Sequence, residues 1–189
     1  MHPLLQQWQQ DRLVAVIRSS NQTTALEIAA RVQAAGVRQL EVTLTFPEAL
    51  AVMAQLRAGC GTVMTTAQAQ AAIAQGTAFL VSPFTHPEII ALGRAAGVLV
   101  VSGAWTATEV ERAWRLGADV IKLFPAQVGG PDYLHSLKQL FPEVPFFPCG
   151  GVTLATATDY LQAGAVAVGI GQGLGTAADL SQVQQLQKV

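Results

Sequence analysis

Short runs rich in β-branched residues alternate with Ala- and Gln-rich stretches along the whole chain, and this alternation narrows the choice of fold more than any other feature. The runs at 13–17, 38–44, 60–63, 78–82, 98–102, 118–124, 144–148 and 165–169 read as strands. Helical patterns fall between them at 22–36, 47–57, 66–75, 86–96, 106–116, 132–140, 154–163 and 177–187. Strict β–α alternation predicts a parallel sheet covered by helices. Eight units in succession, with no linker or break in composition, predict closure into a compact (β/α)8 barrel, a single domain over residues 1–189, in preference to an open sheet. The third strand is expected to be stunted.

The predicted helix ends carry suitable punctuation. Gly36, Gly76, Gly97, Gly117 and Gly164 each follow a helical stretch as left-handed caps. Thr106-Ala107-Thr108-Glu109 and the stretch from Thr23 to Glu27 read as helix starts. A short amino-terminal helix over 4–12, with Leu5, Trp8 and Leu13 on one stripe, is expected to cover the bottom of the barrel.

Composition then limits function. Of 189 residues, 51% are hydrophobic and only 12% charged. That charge share is about half the usual one. It excludes disorder and suits strands covered on both faces. A net charge of -1, from 11 basic and 12 acidic residues, supplies no field for nucleic acid or a membrane surface. The expected partner is therefore a small molecule. The opening MHPLLQQWQQDR lacks the features of a signal peptide, and no apolar run is long enough to span a bilayer. Cys60 and Cys149 lack metal or redox spacing and read as reduced thiols, which points to the cytoplasm. His2, His86 and His135 are scattered, so neither a metal nor another cofactor is expected.

In a (β/α)8 barrel the chemistry lies at the carboxyl ends of the strands, so polar residues inside apolar strands are the candidates. Lys122 interrupts Val120-Ile121-Lys122-Leu123-Phe124, on the face shared by Ala118, Val120 and Phe124. Burial would lower its pKa and ready the amine to attack a carbonyl; the other reading is a lysine whose head reaches water. Glu41 lies on the face of its strand shared with Thr43 and Thr45, opposite Leu40, Val42 and Leu44. Paired with Lys122 it would supply a general acid and base, although a structural ion pair would use the same residues. Gly150-Gly151 after the seventh strand and Gly169-Ile170-Gly171-Gln172-Gly173 after the eighth suit an anion held by backbone N–H groups.

These motifs resemble the 2-keto-3-deoxy-6-phosphogluconate aldolase family of class I pyruvate aldolases. The resemblance rests on Leu40-Glu41-Val42-Thr43-Leu44, Gly59-Cys60-Gly61-Thr62-Val63, Phe79-Leu80-Val81-Ser82-Pro83, Ile121-Lys122-Leu123-Phe124-Pro125-Ala126 and Pro148-Cys149-Gly150-Gly151-Val152. It implies that Lys122 forms the Schiff base, that Glu41 moves protons through a bound water, and that Thr62 helps hold the pyruvate carboxylate. It further implies that Pro83 and Phe124 line the pocket, that Gly150 and Gly151 bind a distal phosphate, and that the chain forms a homotrimer without a metal.

The chain also departs from the family pattern. Thr45 stands where many members carry an arginine, and Arg18, at the end of the first strand, is a candidate replacement for holding substrate anions. Gln172, beside Gly171, stands where several members carry a phosphate-binding serine, and Cys149 replaces a frequent threonine. The resemblance implies cleavage of 2-keto-3-deoxy-6-phosphogluconate. The galactonate epimer and 4-hydroxy-2-oxoglutarate are alternative substrates, and a non-catalytic phosphosugar-binding barrel is the rival of a different class.

Overall fold

The computed structural model describes residues 2–171, 173–174 and 179–186. Strands β1 (Leu13–Ile17), β2 (Gln39–Thr43), β3 (Gly59–Gly61), β4 (Phe79–Ser82), β5 (Leu99–Ala104), β6 (Val120–Leu123), β7 (Phe146–Pro148) and β8 (Val168–Ile170) alternate with helices. Helix α1 (Pro3–Asp11) precedes β1, and α2 (Gln22–Ala34), α3 (Ala49–Leu56), α4 (Thr66–Ala74) and α5 (Pro87–Ala95) follow the first four strands. The later helices are α6 (Ala107–Arg115), α7 (Gly130–Leu140), α8 (Leu154–Gln162) and α9 (Asp179–Leu186), with a 3-10 turn, Ala126–Val128, between β6 and α7.

All neighbouring strands pair in parallel, in the order β7-β6-β5-β4-β3-β2-β1-β8. Two isolated bridges, Phe146 to Ala165 and Cys149 to Gly169, join β7 to the β8 segment and complete a nearly closed ring. The predicted (β/α)8 barrel is thus the observed one.

The apolar interior has two layers. Inside the ring, Val14, Phe79, Val101, Val120 and Phe147 meet around Trp8. Trp8 comes from α1, is fully buried, and packs edge-on to Phe79 at 4.9 Å and tilted against Phe147 at 4.8 Å. The expected amino-terminal helix therefore does cover the bottom, with its tryptophan inserted into the lumen. Between strands and helices, residues such as Leu80, Ile121 and Phe146 meet buried alanines, including Ala29 and Ala113, whose small side chains allow close helix approach.

Several boundaries differ from the sequence expectation. Strand β3 ends at Gly61, not at residue 63, because Thr62 has φ 59, a left-handed conformation that a strand cannot contain and that is strained for a β-branched residue. Helix α2 is capped by Asn21, whose side chain accepts from the Thr24 N–H, so the helix starts ahead of Thr23. At α6 the predicted start holds: Thr106 and Glu109 form a reciprocal capping box. All five predicted capping glycines have positive φ, between 68 and 106. Among the described residues no helix is long and apolar enough to cross a membrane.

Candidate active site

A cavity of about 560 Å³ opens at the carboxyl ends of the strands. Nine of the sequence candidates line it: Arg18, Glu41, Thr62, Pro83, Lys122, Phe124, Gly150, Gly151 and Gly171. The tenth, Gln172, lies outside the described residues. Position-two alternation explains the convergence, since the lumen face that carries Val14 in β1 and Val120 in β6 carries Val16 and Lys122 one step nearer the carboxyl end.

Register brings the central pair together. Glu41 on β2 pairs with Val16 and Gly59, while Lys122 on β6 pairs with Gly103 and Phe147 across the ring. Lys122 Nζ stands 3.7 Å from Glu41 Oε1, an ion pair slightly longer than a hydrogen bond. Glu41 is fully buried and Lys122 nearly so. Neither carboxylate oxygen of Glu41 has a hydrogen-bond partner among the described residues, so both can accept from a molecule in the cavity.

The electrostatics correct one expectation. Burial pushes the Lys122 ammonium down, but the Glu41 carboxylate beside it favours the charged form and raises the pKa above the ordinary lysine value. A Cys149 thiolate would add to this rise and the Arg18 guanidinium opposes it. Burial, however, pushes the Cys149 thiol up to about 12, so near neutral pH the thiol is protonated and the rise rests on Glu41. Beside Glu41 the charged form of Lys122 is the favoured one.

Other residues shape the cavity. Phe124 is partly exposed, and Lys122 Nζ lies 5.4 Å from its ring centroid. Thr45 does not supply a cation: its hydroxyl lies 2.9 Å from that of Thr43 and donates to the Ser19 carbonyl at 3.4 Å. Thr43 in turn donates to the Ile17 carbonyl at 3.1 Å. These bonds tie the end of β2 to the segment carrying Arg18, which reaches the cavity from β1. Gly150 and Gly151 have φ 84 and 76, a conformation that brings bare backbone to the cavity wall just ahead of α8, capped by Thr153.

Two positions that shape the site escaped the sequence reading. The first is Gly61, where a Cβ would collide with Glu41 Oε1; the missing side chain makes room for the carboxylate. Its signal was present in the Gly59-Cys60-Gly61 motif, but spacing gave it no role. The second is Gln127 in the 3-10 turn, which lines the cavity and lies in a loop without periodicity.

A nearly closed parallel barrel with one buried lysine against one buried carboxylate at the carboxyl ends of its strands fits a class, the carbon–carbon lyases that work through an amine. Within that class, the chain belongs to the KDPG and KHG aldolase family, whose model matches residues 5–189. It is 36% identical over 158 residues to the 2-dehydro-3-deoxy-phosphogluconate aldolase of Treponema pallidum, spanning 79% of this chain and 75% of that one. It is 32% identical over 178 residues to the 2-dehydro-3-deoxy-6-phosphogalactonate aldolase of Escherichia coli, spanning 89% and 87%. Among solved structures, the KDPG aldolase of Legionella pneumophila, with pyruvate captured as a covalent carbinolamine, superposes with a TM-score of 0.80 at 26% identity, covering 95% of this chain and 94% of that one. The protein is an aldolase.

Proposed function

We propose that this aldolase cleaves 2-keto-3-deoxy-6-phosphogluconate to pyruvate and glyceraldehyde 3-phosphate through an imine on Lys122. The observation that carries the reading is the buried Lys122–Glu41 pair at the cavity floor. As substrate enters, the ammonium passes a proton to Glu41 and the neutral amine adds to the C2 carbonyl. Glu41 returns the proton to the carbinolamine oxygen, water leaves, and a protonated imine remains. Removal of the C4 hydroxyl proton by Glu41 then breaks the C3–C4 bond. The electron pair moves into the imine, leaving an enamine on Lys122 and a free aldehyde. Protonation at C3 and addition of water release pyruvate and regenerate the lysine.

The remaining roles follow from position. Thr62 and Arg18 hold the substrate's carboxylate end, with Pro83 and Phe124 as cavity walls. Gly150, Gly151 and Gly171 receive the phosphate. Thr45 carries no charge, and this favours a second reading in which the unphosphorylated 4-hydroxy-2-oxoglutarate is also cleaved, to pyruvate and glyoxylate. The galactonate epimer differs only at C4, where Glu41 acts.

We further propose that the chain works as a homotrimer in the cytoplasm. Exposed Met64, Phe84 and Val128 in loops at the catalytic end support association, and buried unpaired Cys60 and Cys149 support a reducing compartment. The deciding experiment is incubation with pyruvate and borohydride followed by peptide mapping. A reduced pyruvate adduct on Lys122 is expected; a folded protein with no adduct, or an adduct elsewhere, overturns the mechanism.

A further inference from the structure

We infer that Gln127 is a specificity-determining residue, whose neutral amide sets the charge that the far end of the substrate can carry. The inference rests on the proposed binding of the distal phosphate beside Gly150 and Gly151. The 3-10 turn that carries Gln127 is bonded to the segment after β7: Ala126 donates its N–H to the Cys149 carbonyl at 2.7 Å, and Gln127 donates its own to the Gly150 carbonyl at 3.0 Å. The side chain then lies over Gly151, where a Cβ would strike its Oε1, its Cδ and its Cβ. Gly151 therefore has to lack a side chain for Gln127 to occupy this position.

The wall at this end of the cavity comprises Gln127, Gly150, Gly151, Val152, Thr153 and Gly171. The Thr153 hydroxyl is engaged in capping α8, where it accepts from the Thr156 N–H at 3.3 Å. Gln127 is the long polar side chain on this wall, and its amide lies over Gly151. The charged residues that line the cavity are Arg18, just after β1, Glu41 on β2 and Lys122 on β6; none is among these six. A formal charge at position 127 would thus be the one side-chain charge among these six residues and would act directly on the distal group. A glutamine offers N–H donors to a phosphate and an acceptor to a hydroxyl, whereas a carboxylate of the same shape repels the phosphate.

The test compares kcat/KM for 2-keto-3-deoxy-6-phosphogluconate with that for 2-keto-3-deoxygluconate, the same carbon chain without phosphate. Gln127→Glu is expected to lower the ratio at least about tenfold, less at high salt, and Gln127→Lys to raise it. Pyruvate trapping by borohydride verifies that each variant is folded. A ratio that moves in the same direction in both variants, or not at all, overturns the inference, as does an equal fall on both substrates. A wild-type protein with no preference for the phosphorylated substrate shows instead that the phosphate reading itself is wrong, and the inference falls with it.

Discussion

At the amino-terminal end of the barrel, Trp8, Phe79 and Phe147 pack together inside the ring; at the carboxyl ends of the strands, Glu41, Lys122 and Thr62 line a cavity of about 560 Å³. The backbone is the same and the burial is similar, yet one end holds the fold and the other holds reactive groups in positions the fold does not need. Strand β6 shows the change within one step, from fully buried Val120 to nearly buried Lys122. A substitution at one end should therefore affect stability and at the other activity.

The largest effect is expected at the carboxyl end. Replacing the pair together, Lys122→Met with Glu41→Gln, should lower aldol cleavage by at least roughly 10⁴-fold, because the nucleophile and the proton carrier are both gone. Urea unfolding should show stability unchanged or higher, since replacing a buried ion pair by neutral groups of similar size is often neutral or favourable by about 1–4 kcal/mol. A double variant that unfolds readily would mean that the pair is structural and would end the division.

At the opposite end, Trp8→Ala should cost about 3–5 kcal/mol of stability, as other large-to-alanine core changes do. Below its lowered Tm the variant should keep a kcat/KM within a few-fold of the parent. A collapse in kcat of the folded variant would show that the lumen packing also positions Lys122.

Gly61→Ala lies between these cases. The added methyl group meets the Glu41 carboxylate, so both ends of the comparison respond: overpacking costs about 1–3 kcal/mol and Glu41 is forced away from Lys122. Stopped-flow kinetics should show a fall in kcat on the order of 100-fold, a general acid–base contribution, with borohydride trapping of pyruvate slowed but not abolished. Loss of trapping instead would mean that the methyl group displaces Lys122.

The smallest effect concerns an exposed helix end outside both regions. Glu109 accepts from the N–H groups of Thr106 and Trp105, and these bonds hold its carboxyl below the usual range, against a small opposing effect of burial. Its contribution is present above the unfolded value and disappears as the pH falls through the lower folded value. Glu109→Ala should cost about 0.5–1 kcal/mol near neutral pH and nothing in strong acid, with activity unaltered. Equal destabilisation at both pH values would assign the loss to something other than charge.

The legible parts of the molecule are those where periodicity operates. Eight alternating units revealed the barrel, and a charged residue inside an apolar strand revealed Lys122 and Glu41. β3 was misplaced because three residues, two of them glycine, show no alternation, and its end depends on the left-handed Thr62. The direction of the Lys122 shift was missed for another reason. Burial alone was visible in the sequence, whereas the opposing carboxylate acts across the lumen at a distance that only the closed ring determines. Gln127 sits in a turn whose side-chain direction is set by bonds to the loop after β7, a contact between segments that no local pattern announces.

The pairing of β1 with β8, Leu13 beside Val168, has a consequence for the order in which the enzyme comes into being. Synthesis delivers β1 first, and β1 must wait for nearly the entire remaining chain before its second neighbour leaves the ribosome. Glu41 and Lys122 emerge earlier, but the glycine-lined wall that completes their cavity emerges late, with β7 and β8. A nascent chain therefore carries the reactive amine before it has an enclosed site in which to use it, and catalytic competence arrives only when the ring closes.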